Sequence, residues 1–401
     1  MKELFDSYGF DPASRTIFVF TIVWVCMVIF PSFYLFMDHK MLEKIQKKSI
    51  LLDWRILIPI LVYTILLGYR YEYSYDWDQY MNTFDYMKRG LIYRDDTEHG
   101  YLFINRILGD LGFDFYSIFL LEAFMYVSAY CFLLKKDRRY IPFALPLLYI
   151  SQYSNALNIS RQFFAMSVLF IAYRYLLDNK KIRYFIIGGI ACTIHQSAII
   201  WIVAFFFFSK LNKYKIKVHY FIIASALCFI VNTFLRDALY GALSSLANLF
   251  SLRSDIYGSG GILDEKFLRD DLQPVQIIAR LVKFSTYYYL FYKQNKAGIF
   301  DDGKNAFLKN YMLIGIISTP LVLLVGTHEI FSRMLYYVSV FYDMGWGILL
   351  YNSIFYRKIC KINIMDYTLI SFCVFQYFWQ FYQMILNGFM NFDTNLFIIY
   401  E

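Results

Sequence analysis

The sequence predicts an all-α polytopic membrane protein with about twelve transmembrane segments, two of them short half-helices. Three observations carry this. Of 401 residues, 59% are hydrophobic and only 17% are charged, with a mean hydropathy of +0.43. Aromatic residues are dense, with 38 Tyr, 42 Phe and 6 Trp. The apolar residues also come in runs of roughly 17–25, the length that crosses a bilayer. A soluble core of this size cannot hide so much apolar surface, because charged residues must cover it. A disordered chain is excluded by the same hydrophobicity. Residues 1–401 read as a single integral membrane domain.

The first run is about Thr16–Met37, followed by a basic loop with Lys40, Lys44, Lys47 and Lys48. The second is about Leu52–Tyr69. A polar segment follows, so that residues 70–114 read as an external loop, with Tyr101–Leu111 a short helix dipping into the interface. Up to Gly100 it holds seven acids against four bases. The third span is about Phe115–Leu134, closed by Lys135, Lys136, Arg138 and Arg139. Ile141–Ile150 is a short span containing Pro142 and Pro146, and the polar stretch Ser151–Ser160 reads as an external turn. Arg161–Asp178 is a span, with Lys180, Lys181 and Arg183 after it.

Tyr184–Phe208 is a single apolar stretch of 25 residues with basic loops at both ends. Basic loops stay cytoplasmic, and one straight helix cannot have both ends on one side. A hairpin resolves the conflict: in along Tyr184–Ile194, a turn at His195-Gln196-Ser197, back along Ala198–Phe208. Each arm is about 16 Å, half a bilayer, and such a turn is tolerated at membrane depth where it lines a polar cavity. The alternative is that one of the two basic loops is external. Further spans follow at about Val218–Leu235, Val275–Tyr292, Leu308–Val325, Ser332–Phe355 and Ile364–Leu386, with a second external loop at 236–273. Of 39 Lys and Arg, 21 fall in the six loops read as cytoplasmic. The net charge of +8 thus reflects membrane orientation, and no nucleic-acid partner is inferred. Both termini are placed outside, and no cleavable leader is expected, since Asp6 and Asp11 interrupt the start.

No metal site is expected from five scattered histidines, and no Gly-rich phosphate loop or GxSxG elbow occurs. The six cysteines read as small buried residues. Polar groups that loops and span ends leave unexplained fall on the external side, and ionisable groups at membrane depth point to function. Asp76 and Asp78 beside Trp77 and Tyr80 suit a sugar, or else form a solvated aromatic belt. Glu98 stands where the loop returns, either for chemistry or as an acid at the positive end of a helix. Arg161-Gln162 opens a span, where a cation opposes the macrodipole unless an anion binds; the other reading is snorkelling. His195 and Ser197 occupy the hairpin turn. His328-Glu329 and Arg333 lie at another external turn. Arg280 and Lys283 share a helix face. Glu122 and Asp343, deeper in their spans, read as partners of bases that hold helices together.

In chain order, Asp76-Trp77-x-x-Tyr80, Glu98-x-Gly100-Tyr101, Arg161-Gln162, His195-x-Ser197 and Arg333 with Tyr336 and Tyr337 resemble the EpsG-like branch of the Wzy-type polysaccharide polymerases. The resemblance spans roughly Arg70 to Tyr337. Ser74 and Tyr75 stand where that branch usually has a glycine before its Asp, and a second acid, Asp78, follows, so the choice between Asp76 and Asp78 stays open. The resemblance implies a bacterial inner-membrane glycosyltransferase of GT-C-like, membrane-embedded architecture. It would join oligosaccharide repeat units carried on undecaprenyl diphosphate, transferring the growing chain to the non-reducing end of a new unit and making O-antigen, capsule or exopolysaccharide. Its partners would be the lipid-linked units, membrane lipid and a chain-length regulator; no cofactor or metal is implied.

The residues suit that chemistry. A diphosphate leaving group calls for cations, and Arg161, Arg333 and Arg280 are candidates. An acceptor hydroxyl calls for a base: Glu98 or Asp76, with His195 as hydrogen-bonding partner. Asp78, Tyr80, Gln162 and Ser197 are candidate substrate contacts. Competing readings are a flippase for lipid-linked oligosaccharide, a polysaccharide acyltransferase and a scaffold.

Overall fold

The computed structural model describes residues 12–70, 76–94, 97–213, 217–236, 238–239, 241, 274–300, 306–325 and 329–386. The described residues form fifteen α-helices and no strand. In order these are α1 (Pro12–Ser32), α2 (His39–Gln46), α3 (Trp54–Gly68), α4 (Trp77–Lys88), α5 (His99–Asp110), α6 (Tyr116–Leu133), α7 (Ile141–Asn158), α8 (Ser160–Leu177), α9 (Lys181–Ile194), α10 (Ala198–Phe208), α11 (Val218–Phe234), α12 (Pro274–Lys296), α13 (Ala306–Val325), α14 (Glu329–Phe355) and α15 (Ile364–Leu386). Among the described residues, three stretches, Ile17–Phe36, Tyr116–Leu133 and Ala306–Val325, are long and apolar enough to cross a membrane; Trp54–Gly68 and Val218–Phe234 are shorter apolar helices.

The chain divides into two compact units, one of residues 1–209 with 377–401 and one of residues 210–376. In the first, α1 packs on α3 and α7, α3 on α6, α6 on α8, and α8 on α9. These helices are apolar on every side, as helices that pack in a core or face a membrane are. Their polar ends are fastened. Asp53 caps α3 and also receives Tyr34, Arg55 Nη1 at 2.6 Å and Arg138 Nη1 at 2.7 Å. Arg138 is fully buried and adds a bond to the Lys48 carbonyl. At the foot of α8, Arg174 donates to the Leu133 carbonyl and pairs with Asp178, which also holds Lys135 and Lys136. Burial alone would raise the Asp178 carboxyl, but hydrogen bonds from Lys136 and Arg174 outweigh it and bring it down to about 2. In the second unit α13 packs on α14 and α11. There Gly315 and Gly345 leave room for the Tyr287 ring, and Lys293 pairs with Asp366.

One expectation is corrected. Ser151–Ser160 is not a turn: α7 runs unbroken to Asn158, and only Ile159 separates it from α8. Pro142 sits in the first turn, where its missing N–H is not needed, and Gln152, Tyr153, Ala156 and Leu157 are buried, so the polar stretch carries a packed face. Residues 70–114 hold the short helix expected at Tyr101–Leu111, as α5 (His99–Asp110), and a further helix, α4, that the polar composition hid. Trp77, Tyr80, Phe84 and Met87 recur at helical spacing and form the buried face of α4. The break inferred inside Tyr184–Phe208 falls at His195-Gln196-Ser197. The arms lie antiparallel, with the Tyr184 hydroxyl on the Ile202 carbonyl and Phe185 5.7 Å from Phe206.

Candidate functional site

Glu98 is the residue before α5, in extended conformation, and its side chain does not cap its own helix. The carboxylate reaches elsewhere. Oε2 lies 3.0 Å from Arg161 Nη1, in the first turn of α8. Oε1 accepts the Gln196 N–H at 3.2 Å, in the α9–α10 break. Oε1 also lies 3.5 Å from His195 Nδ1. One carboxylate therefore joins three elements, and the local sequence explains how. Gly100 lies so close to α9 that a Cβ would stand 2.2 Å from Thr193 Oγ1. Only a residue without a side chain lets the start of α5 abut the end of α9.

The cation at the start of α8 no longer poses a paradox. The negative charge that offsets both the helix dipole and the guanidinium is the Glu98 carboxylate. Glu98 also supplies an acceptor for a backbone N–H that a helix break would leave without one. His195 Nδ1 lies 3.3 Å from the Ser197 N–H and 3.2 Å from the Ser197 hydroxyl. Accepting from the backbone puts the ring proton of the neutral imidazole on Nε2. Protonation of Nδ1 would turn the 3.5 Å approach to Glu98 into a charge-assisted contact. The site thus holds a carboxylate, a guanidinium and an imidazole in direct contact, each partly open: Glu98 is 10% exposed, Arg161 21% and His195 25%.

Tyr80 anchors α4 here. Its hydroxyl donates to the Asn158 carbonyl at 3.4 Å and takes a backbone hydrogen bond from Arg161. Burial pushes that hydroxyl up, the charge of Asp76 adds to the effect, and Arg161 opposes it. Asp76 and Arg161 therefore both act on one hydroxyl. Asp76 is half-buried before α4, whereas Asp78 is exposed in the first turn. Gln162 is buried in α8.

A second polar cluster lies beside this one. Sequence reasoning treated Arg70 only as a loop base and Glu122 as a helix-holding pair member. Arg70, buried at the end of α3, stacks 4.0 Å from the Phe119 ring, bonds Ser160 and lies 3.7 Å from Glu122. Glu122 Oε1 accepts the Tyr101 hydroxyl at 3.2 Å. Arg70, Glu122 and Ser160 line a cavity of about 10 Å³, room for one water. The signal for Arg70 was present: an arginine directly after an apolar run of α3.

Arg280 and Arg333 belong to the second unit, half-buried on α12 and α14, with Tyr337 buried and Tyr336 partly so. Lys283 is buried there near the Tyr342 ring. Tyr75, His328 and the acids of residues 242–273 lie outside the described residues, as does the side chain of Glu329. A model of the EpsG family matches residues 53–400 of the chain. No curated protein and no solved structure matches it.

Proposed function

The chain belongs to the EpsG family, and from that membership, which supports a membrane-bound polysaccharide polymerase, we propose that it joins undecaprenyl-diphosphate-linked oligosaccharide repeat units on the outer face of the bacterial inner membrane. The growing chain is transferred from its lipid diphosphate to the non-reducing end of a new lipid-linked unit. The glycosidic C–O bond to the diphosphate breaks, the acceptor hydroxyl forms the new one, and its proton passes to a base. About twelve crossings in a GT-C-like arrangement would present the site externally.

The observation that carries this reading is the contact of Glu98 with Arg161, His195 and the α9–α10 break. A guanidinium near a helix N-terminus suits a diphosphate, which neutral donors hold less well. In the absence of a competing anion, Arg161 is held by Glu98. A diphosphate that engages Arg161 would loosen the pair and leave Glu98 free to accept a proton from the acceptor hydroxyl. His195, whose Nδ1 lies 3.5 Å from Glu98 Oε1, would take up or relay the proton. Asp76, Asp78, Tyr80, Gln162 and Ser197 would contact sugar, and Arg280 and Arg333 would hold anionic groups of the lipid-linked substrate. A chain-length regulator is the expected protein partner.

The test is the length ladder of the surface polysaccharide in a strain lacking the gene. The strain is complemented with wild type, Arg161→Ala or His195→Ala, with membrane levels matched. Single repeat units capped on the surface, with no ladder, are expected for both variants. Trapped lipid-linked units with no surface sugar would point to a flippase, and a normal ladder with altered substituents to an acyltransferase.

A further inference from the structure

We propose that Glu122 is a positioning residue that sets Arg161 and Glu98 through Tyr101 and Ser160, a role that rests on the diphosphate site above. A carboxylate and a guanidinium buried among helices cost more in desolvation than a packed apolar pair of the same volume. Such a pair needs a reason beyond stability, and here its bonds run to the two elements that carry the site. Glu122 Oε1 accepts from the Tyr101 hydroxyl. Tyr101 is buried in the first turn of α5, three residues after Glu98, and its ring faces the Arg161 guanidinium at 5.8 Å. On the other side, Arg70 holds both Glu122 and the hydroxyl of Ser160, the residue immediately before Arg161. The pair therefore fixes the start of α5 and the start of α8 against α6 and the end of α3. With those starts fixed, the Glu98–Arg161 distance is set by buried groups rather than by the two partly exposed side chains themselves. A site held this way keeps its guanidinium oriented while the Glu98 contact is exchanged for an anion.

The experiment measures binding of undecaprenyl diphosphate to full-length protein in lipid nanodiscs, per folded molecule. Tyr101→Phe keeps the ring beside Arg161 and removes only the donor to Glu122. Its affinity is expected to fall about three- to tenfold, the effect of one buried hydrogen bond, and to fall no further than Arg161→Ala alone when the two are combined. Glu122→Gln, which retains an acceptor oxygen for Tyr101, is expected to lose less than Glu122→Leu. A purely structural role would lower the melting temperature or the yield and leave affinity per folded molecule unchanged. Wild-type affinity in Tyr101→Phe, or full additivity with Arg161→Ala, would overturn the proposal. Failure of the diphosphate reading is seen separately, as wild-type affinity in Arg161→Ala alone.

Discussion

Replacing Gly100 with alanine tests whether the close approach of α5 to α9 builds the site. The added Cβ would lie 2.2 Å from Thr193 Oγ1 and 2.6 Å from both the Thr193 Cβ and its carbonyl oxygen, where ordinary contact begins at 3.4 Å. Two of those three atoms are not the end of a flexible chain, and the hydroxyl is itself bonded to the Ile190 carbonyl at 2.8 Å. The start of α5 must therefore retreat by about 1 Å, as overpacked contacts force backbone shifts at about 1–3 kcal/mol. Glu98 immediately precedes α5, so its 3.0 Å contact to Arg161 and 3.2 Å contact to Gln196 lengthen together. A misplacement of that size costs about 100-fold in rate when geometry carries the catalysis. The assay is the surface ladder together with melting of the detergent-extracted protein. Gly189→Ala on α9, where a Cβ meets nothing within 4 Å, is the control and is expected to behave as wild type. A full ladder from Gly100→Ala at normal membrane level would refute the argument that this contact places Glu98.

Two further outcomes concern the frame. Arg138→Leu removes one of the two guanidinium partners of buried Asp53, with Arg55 and Tyr34 still in place, and is expected to destabilise the protein by about 1–3 kcal/mol, read by detergent melting, whereas Arg139→Leu, whose bridge to Asp137 is partly exposed, is expected to cost about 0–1 kcal/mol. Asp178 is held at about 2, below its ordinary 3.8, so its contribution is fully present above about pH 5 and is lost as pH falls through 3.8 toward 2; melting of wild type and Asp178→Asn should differ by a constant amount above pH 5 and converge as the pH is lowered through that window.

Much of the helical plan was legible because membrane spans are written as apolar runs, and a run needs no tertiary information to be recognised. α6, α13 and α15 match the sequence-based spans to within two residues. The hairpin break at His195 was legible from charge parity, since basic residues flank both ends of one apolar stretch. α4 and the second half of α7 were missed because their polar residues were weighed as composition rather than as periodicity. In α4 the apolar face occupies one side only, so the mean polarity of the segment hides it.

The sequence by itself determined that the chain is a helical membrane protein and marked Glu98, Arg161 and His195 as residues in need of an explanation. Each was singled out because a polar group near an apolar run is costly, and that cost is a local property. Only the tertiary structure decided that the three meet, because residues 98, 161 and 195 lie on separate helix ends and nothing in their spacing encodes contact. It also decided what Arg161 faces, which is a carboxylate of the same chain, and what Gly100 is for, which is the approach to Thr193. The role of Arg70 and Glu122 lies furthest from the sequence. A buried pair is visible as such only when the helices that bury it are packed, since desolvation depends on neighbours drawn from α3, α5, α6 and α8 together.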